Sequence, residues 1–131
     1  MNVASLELCK ELYELSGWSL ATSKWYESWG DSDWSIADKY NPNCPENYPA
    51  YDLGYLLRKL PWMIGAPRAL LYMQKREKGY YYAYTTSTGE DWPFDERATV
   101  FKVEDTPEDS AAMLAIELFK QGVLSKSPTV R

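Results

Sequence analysis

The sequence predicts an α+β fold, with an antiparallel sheet packed against about three helices in an αββαβββα-like sandwich. Three observations favour this class. Apolar residues recur at helical spacing in three segments, apolar and polar residues alternate in segments between them, and Gly or Pro separates most segments. The chain has 131 residues and is 45% hydrophobic, so we expect a single domain over 1–131 with a substantial core.

The first helix is predicted over residues 5–16. Leu8, Leu12 and Leu15 recur at i, i+4 and i+7 and therefore share one face, while the opposite face is largely charged. Ser5 supplies a hydroxyl of the kind that caps a helix N-terminus. Gly17 is a typical helix stop, because glycine adopts the left-handed conformation at the end of a helix.

Residues 18–48 contain several tryptophan, serine and aspartate residues and no long periodic pattern. Two short strands are predicted at 24–29 and 34–39, on either side of a turn at 30–33. Pro42 and Pro45 exclude a strand ladder or a helix interior between them. We therefore expect a long loop before the next regular element.

The second helix is predicted over residues 49–60, and Pro61 ends it. Arg58 and Lys59 fall in its last turn, where positive charge stabilises the helix macrodipole. That placement is by itself a sufficient structural reason for both cations. The apolar stripe of this helix consists of four leucines: Leu53, Leu56, Leu57 and Leu60.

A hairpin is predicted next, with strands at 69–75 and 80–86 joined by a turn that contains a glycine. Alternation places Tyr80, Tyr82 and Tyr84 on one face of the second strand, and Tyr81 and Ala83 on the other. We expect one face to pack on the helices and the other face to be open to solvent. A polar loop follows.

A further strand is predicted at 98–104, and the last helix follows it. Thr106 is expected to cap this helix, Pro107 occupies its first position, and acidic residues fill its first turn. The apolar stripe continues to about Gln121, and Gly122 ends the helix. The tail at 125–131 is expected to fray.

The absence of histidine excludes most familiar catalytic arrangements. Without imidazole there is no Ser-His-Asp or Cys-His nucleophile and no HExxH zinc site. The two cysteines, Cys9 and Cys44, are too few for a zinc cluster, and we expect both to be free thiols. We therefore predict that the protein is not an enzyme, uses no cofactor, and has no catalytic or metal-binding residues.

Two pairs of carboxylates keep an enzymatic alternative open. They are Asp31 with Asp33, and Glu90 with Asp91. Glycosidase chemistry needs two carboxylates on opposite sides of a sugar cleft. Both pairs fall in predicted loops, where acidic residues are usually solvated parts of turns, so we rank this alternative last.

Charge is distributed unevenly along the chain. The net charge is −5, yet residues 58–88 carry six basic side chains and one acidic side chain. We do not expect an acidic protein to bind long nucleic acid, because such binding needs many phosphate contacts. A local basic segment rich in tyrosine suits a small, planar anion such as a nucleotide. No apolar stretch is long enough to span a membrane and no signal peptide is visible, so we expect a cytoplasmic protein with no membrane partner.

The chain contains 6 Trp, 11 Tyr and 3 Phe, and such rings can stack on bases while basic side chains pair with phosphates. The same rings are also ordinary core residues, and the charges also fit a solvated hairpin. The candidates for phosphate binding are Arg58, Lys59 and Arg68. The candidates for stacking are Trp25, Tyr26, Trp62 and Tyr82.

Two segments resemble a known family. They are PAYDLGYLL at 49–57 and DTPEDSAAMLA at 105–115, and a strand-rich middle separates them. Over roughly residues 5–124 the chain resembles small bacteriophage proteins of the phage ABA sandwich domain family. The resemblance implies a phage protein that is made in the host bacterial cytoplasm and counters an anti-phage defence.

Two routes to that role stay open. One is a non-catalytic sponge that sequesters a nucleotide-type immune signal, which needs aromatic planes, basic side chains and hydroxyls but no catalytic machinery. The other is a protein-binding inhibitor of a host defence protein or nucleic-acid-binding protein, because aromatic patches form interface hot spots. Shared aromatic surfaces are also compatible with a homo-oligomer.

Overall fold

A computed structural model of the chain describes residues 2–20, 22, 24–30, 33–65, 69–85 and 98–126. Within these ranges it contains three helices and seven strands, which confirms the predicted α+β class. In chain order they are α1 (Leu6–Ser16), β1 (Trp25–Ser28), β2 (Trp34–Ala37), β3 (Glu46–Pro49), α2 (Leu53–Lys59), β4 (Met63–Ile64), β5 (Ala69–Arg76), β6 (Gly79–Thr85), β7 (Ala98–Glu104) and α3 (Pro107–Lys120).

The strands form two separate antiparallel sheets, where the sequence predicted one. The small sheet has the order β2-β1-β3, and the large sheet has the order β4-β5-β6-β7. The two strands that the sequence did not predict, β3 and β4, are both edge strands and have four and two residues. Such short elements carry too few residues for a periodic pattern to show.

The predicted helix over 49–60 is too long at its N-terminal end. Pro49 is the last residue of β3, and the helix begins only at Leu53. The carboxylate of Asp52 caps it by accepting a hydrogen bond from the Tyr55 amide at 2.7 Å. Proline is tolerated in β3 because an edge strand has one side without ladder partners.

The caps predicted for the other two helices are confirmed. The Ser5 hydroxyl accepts from the Leu8 amide, and Gly17 ends α1 in the left-handed conformation at φ 70°. The Thr106 hydroxyl accepts from the Asp109 amide, with proline following at the start of α3. Short-range capping chemistry therefore predicts these helix ends well.

The core lies between the three helices and one face of the large sheet. Its fully buried members include Leu12 of α1, Leu56 of α2 and Leu114 of α3. Buried Ser110 joins α3 to the sheet, because its hydroxyl donates to the Tyr80 carbonyl at 2.6 Å and accepts from the Glu104 amide at 2.9 Å. The sheet and α3 therefore pack in one fixed register.

Both faces of β6 are buried, which corrects the expectation of one open face. Tyr82 and Tyr84 belong to the core. On the opposite face Tyr81 and Ala83 are also buried. The guanidinium of Arg76 lies 3.9 Å from the centre of the Tyr81 ring and covers it. Alternation correctly separates the two faces of a central strand, but it does not show that both are covered.

Two contacts fix the segment before α1. The Ser5 amide donates to the Asp109 carboxylate in the first turn of α3 at 2.8 Å, and the Tyr26 hydroxyl of β1 donates to the Ala4 carbonyl at 2.7 Å. The N-terminal helix is thus held from two sides, by the last helix and by the small sheet.

Cys9 and Cys44 are both buried free thiols, as predicted. In the ranges that the structure describes, no helix has the length and apolarity needed to cross a membrane. Several predicted features lie outside the described residues. They are residues 127–131 of the predicted frayed tail, the polar loop after β6, and the carboxylates Asp31, Glu90 and Asp91.

Candidate functional site

The structure places two of the predicted phosphate-binding residues, Arg58 and Lys59, exposed in the last turn of α2. Each lies over aromatic rings. The Arg58 guanidinium is 5.8 Å from the centre of the Tyr55 ring, and the Lys59 ammonium is 5.5 Å from the same ring. The Lys59 ammonium is also 5.6 Å from the centre of the Trp18 ring. Two cations and two rings therefore meet at the end of α2.

Sequence reasoning did not select Trp18 or Tyr55 as site residues. Tyr55 precedes Arg58 and Lys59 by three and four residues, and this is the spacing at which helical side chains meet, so the sequence held that signal. Trp18 follows α1 and packs edge-on against Phe119 of α3, with ring centres 5.3 Å apart. That contact between distant segments has no local signature.

Trp62 is the most exposed of the four predicted stacking residues, with 70% of its surface open to solvent. It is three residues beyond Lys59, so the Cα atoms of the two residues are at most about 11 Å apart. Its indole is open to a planar ligand, and it makes no cation–π contact with Arg58 or Lys59. We call the set Trp18, Tyr55, Arg58, Lys59 and Trp62 the α2-end site.

Neither Arg58 nor Lys59 forms an ion pair with any residue that the structure describes. An exposed cation–π contact contributes about 0.5–1 kcal/mol, whereas a hydrogen bond to a charged group contributes about 1.5–3 kcal/mol. The contacts between these cations and the rings are therefore weaker than a charge-assisted hydrogen bond from either cation to an anion would be. Because the C-terminal end of a helix is the negative end of its dipole, an anion here needs both cations.

Two buried hydroxyls adjoin the site. The Tyr55 hydroxyl and the Thr22 hydroxyl have no hydrogen bond of ordinary geometry with the described part of the chain. Burial raises the pKa of Tyr55, and the neighbouring Thr22 hydroxyl and the Arg58 charge each lower it in part. The ring of Tyr55 therefore stays neutral beside the two cations at physiological pH.

The other predicted site residues lie elsewhere. Trp25 is on the small sheet, where its ring is 4.9 Å from that of Tyr40. Tyr26 faces the core and uses its hydroxyl on the Ala4 carbonyl. Tyr82 is only 4% exposed, so its ring offers no face for stacking, which corrects that prediction. Arg68 lies outside the described residues.

The burial of Tyr26 and Cys9 predicts a loss of stability at alkaline pH. Burial raises the pKa of Tyr26 from 10.0 to about 12 and the pKa of the Cys9 thiol from 9.0 to about 12. Above about pH 9 the unfolded chain therefore loses these protons before the folded chain does. These two groups leave the free energy of unfolding unchanged well below pH 9, and we expect it to fall progressively between about pH 9 and about pH 12.

Denaturant titrations at pH 8, 10 and 11 measure this loss. Tyr26→Phe should have a shallower decline than the unsubstituted chain between pH 8 and 11. It starts from a lower stability, because it lacks the bond to Ala4. Tyr40→Phe, at a ring that is 52% exposed, should follow the unsubstituted chain. An equally steep decline for Tyr26→Phe would contradict the assignment.

The end of α2 presents two positive charges at the surface beside the rings of Tyr55 and Trp18, and the exposed indole of Trp62 follows three residues later. The hydroxyls of Tyr55 and Thr22 are buried beneath this surface. Among the described residues, no three His, Cys, Asp or Glu side chains come together as a metal site requires. Comparison of the chain with protein-family models, with curated proteins and with solved structures finds no match.

Proposed function

We propose that the protein is a non-catalytic binding protein that sequesters a small, planar anion of the nucleotide type at the α2-end site. The observation that carries the proposal is the pair of neighbouring cations, Arg58 and Lys59, which lie exposed beside aromatic rings without an ion-pair partner in the described ranges. A phosphate binds between the two cations, and the base stacks on Trp62.

The energies of such contacts support a useful affinity. Two charge-assisted phosphate contacts contribute about 1.5–3 kcal/mol each, and one stacked base contributes about 1–3 kcal/mol. Part of this sum is offset by the loss of freedom on association. Because the rings already hold both cations at the surface, fewer side-chain conformations are lost on binding than for free lysine and arginine.

The resemblance to the phage ABA sandwich family extends the proposal to a biological role. The ligand would be a nucleotide signal of bacterial anti-phage immunity, and its capture in the host cytoplasm would counter that defence. A protein-binding inhibitor is the second candidate, and a different surface of the molecule favours it, as described below.

A ligand panel tests the proposal. We expect at least one compound among cyclic dinucleotides, cyclic trinucleotides and cyclic ADP-ribose derivatives to raise the melting temperature in proportion to the logarithm of its excess over Kd. At a concentration of 100 Kd the stabilisation is about 2.7 kcal/mol. Mass analysis of the ligand recovered from the complex should show it unchanged, which separates sequestration from cleavage.

Substitutions locate the binding site. The double variant Arg58→Ala/Lys59→Ala should weaken binding at least about a hundredfold, whereas Lys78→Ala, at an exposed lysine in the turn before β6, should leave Kd within about twofold. Trp62→Ala should weaken binding about tenfold, and Trp29→Ala, at another exposed indole, should not. A panel without any stabilising compound, or equal effects of the paired variants, would refute the proposal.

A further inference from the structure

The small sheet has an outer face that carries exposed rings and a carboxylate. The register places Trp25 and Glu27 of β1 on this face, together with Ser35 of β2 and Asn47 of β3. The Tyr40 ring lies 4.9 Å from the Trp25 ring and is 52% exposed. This face is directed away from α1, because the residues of the opposite face make the contacts with that helix.

The carboxylate on this face is held in place and has bonding capacity to spare. The indole Nε1 of Trp29 donates to Oε1 of Glu27 at 3.2 Å, and Trp29 is itself 53% exposed. Neither Glu27 oxygen contacts a cation in the part of the chain that the structure describes. An ionised carboxylate accepts about four hydrogen bonds, so most of its acceptor sites are open.

The opposite face of the same sheet already binds a cation. The Lys10 ammonium of α1 lies 4.9 Å from the centre of the Trp34 ring and 5.3 Å from the centre of the Tyr48 ring. A basic side chain therefore already lies over two rings of the inner face. On the outer face Glu27 accompanies the rings of Trp25 and Trp29, and no cation of the described residues lies over either ring.

The segment that forms most of the small sheet is acidic, as a surface for a basic partner requires. Residues 25–48 contain five acidic side chains and one basic side chain. An arginine guanidinium pairs with a carboxylate through two parallel hydrogen bonds and stacks on aromatic planes, so it matches both features of the outer face. Lysine matches the charge but has no plane to stack.

We propose that the outer face of the small sheet, formed by Trp25, Glu27, Trp29 and Tyr40, docks an arginine-bearing basic segment of a partner protein. The guanidinium pairs with Glu27 and stacks on the flanking rings. This surface shares no residue with the α2-end site, so a basic protein segment and a small anion would not compete for the same side chains.

A peptide titration followed by NMR tests the proposal, using the full chain and the synthetic peptide (Arg-Gly-Ser)4. The indole N–H signal of Trp29 reports directly on the surface, because that group donates to Glu27. We expect the arginine peptide to shift this signal and to bind at least about tenfold more tightly than the same peptide with citrulline, which keeps the shape of arginine without its charge.

Matched substitutions separate this surface from general attraction to an acidic protein. Glu27→Gln keeps an acceptor for the Trp29 indole and should weaken binding about tenfold. Glu14→Gln removes the same charge from an exposed position on α1 and should leave Kd within about twofold. Equal effects of the two variants, equal binding of the citrulline peptide, or an unchanged Trp29 indole signal would each overturn the proposal.

Discussion

Leu12→Ala is expected to lower the free energy of unfolding by about 2–5 kcal/mol. Leu12 is fully buried in the core, where α1 packs against α3. Truncation removes apolar contacts within the core and leaves a cavity that the surrounding structure fills only in part. A loss of this size is a large share of the stability of an ordinary domain.

Urea titration measures the effect, and Leu20→Ala is the matched control. Leu20 is 63% exposed, so the same chemical change there should alter the free energy of unfolding by less than about 0.5 kcal/mol. The dependence of the free energy on urea should be unchanged in both variants, because neither alters the surface exposed on unfolding by much. Similar losses at the two leucines would show that α1 does not pack as described.

Gly79→Ala is expected to destabilise the protein by about 2–4 kcal/mol. Gly79 begins β6 at φ 118°, a backbone conformation that side chains with a Cβ rarely adopt. A Cβ at this position would also lie 2.7 Å from the backbone carbonyl oxygen of Glu104 on β7. Because that oxygen belongs to a neighbouring strand, it cannot move aside as the end of a flexible side chain does.

The variant Gly30→Ala separates the effect of backbone strain from the effect of the close contact with Glu104. Gly30 has φ 103°, but a Cβ there meets no atom of the described residues within 4 Å. We expect this variant to lose about 1–2 kcal/mol from backbone strain alone. The difference between the two variants, measured by thermal or urea unfolding, gives the effect of the close approach between β6 and β7. If the two losses are equal, the contact with Glu104 contributes nothing.

The predictable part of the fold is the part that local chemistry determines. The hydroxyls of Ser5 and Thr106 cap helices through bonds to amides three residues away, so the sequence alone locates those N-termini. The strand β3 was missed because its pairing with β1 involves residues about twenty positions apart and a terminal proline. The division into two sheets likewise depends on contacts that leave no local pattern.

In the candidate site, too, only the residues with a local sequence signal could be predicted. Arg58 and Lys59 stand out as neighbouring cations after a leucine stripe, and the structure places both at the surface. Trp18 escaped prediction because its ring reaches Lys59 from a segment about forty residues earlier. Tyr82 was selected for its chemistry, but β6 is central in its sheet and α3 packs over it, so the ring is buried.

The bond from the Ser5 amide to the Asp109 carboxylate spans 104 residues of chain, and this has a consequence during translation. At about 5–20 residues per second, roughly 5–20 s pass between the synthesis of its two ends. Throughout that interval the apolar stripe of the nascent first helix lacks its final partner. The apolar leucines of α1 therefore stay exposed to solvent in the nascent chain until α3 is available to cover them. This is the period in which chaperones would bind the chain.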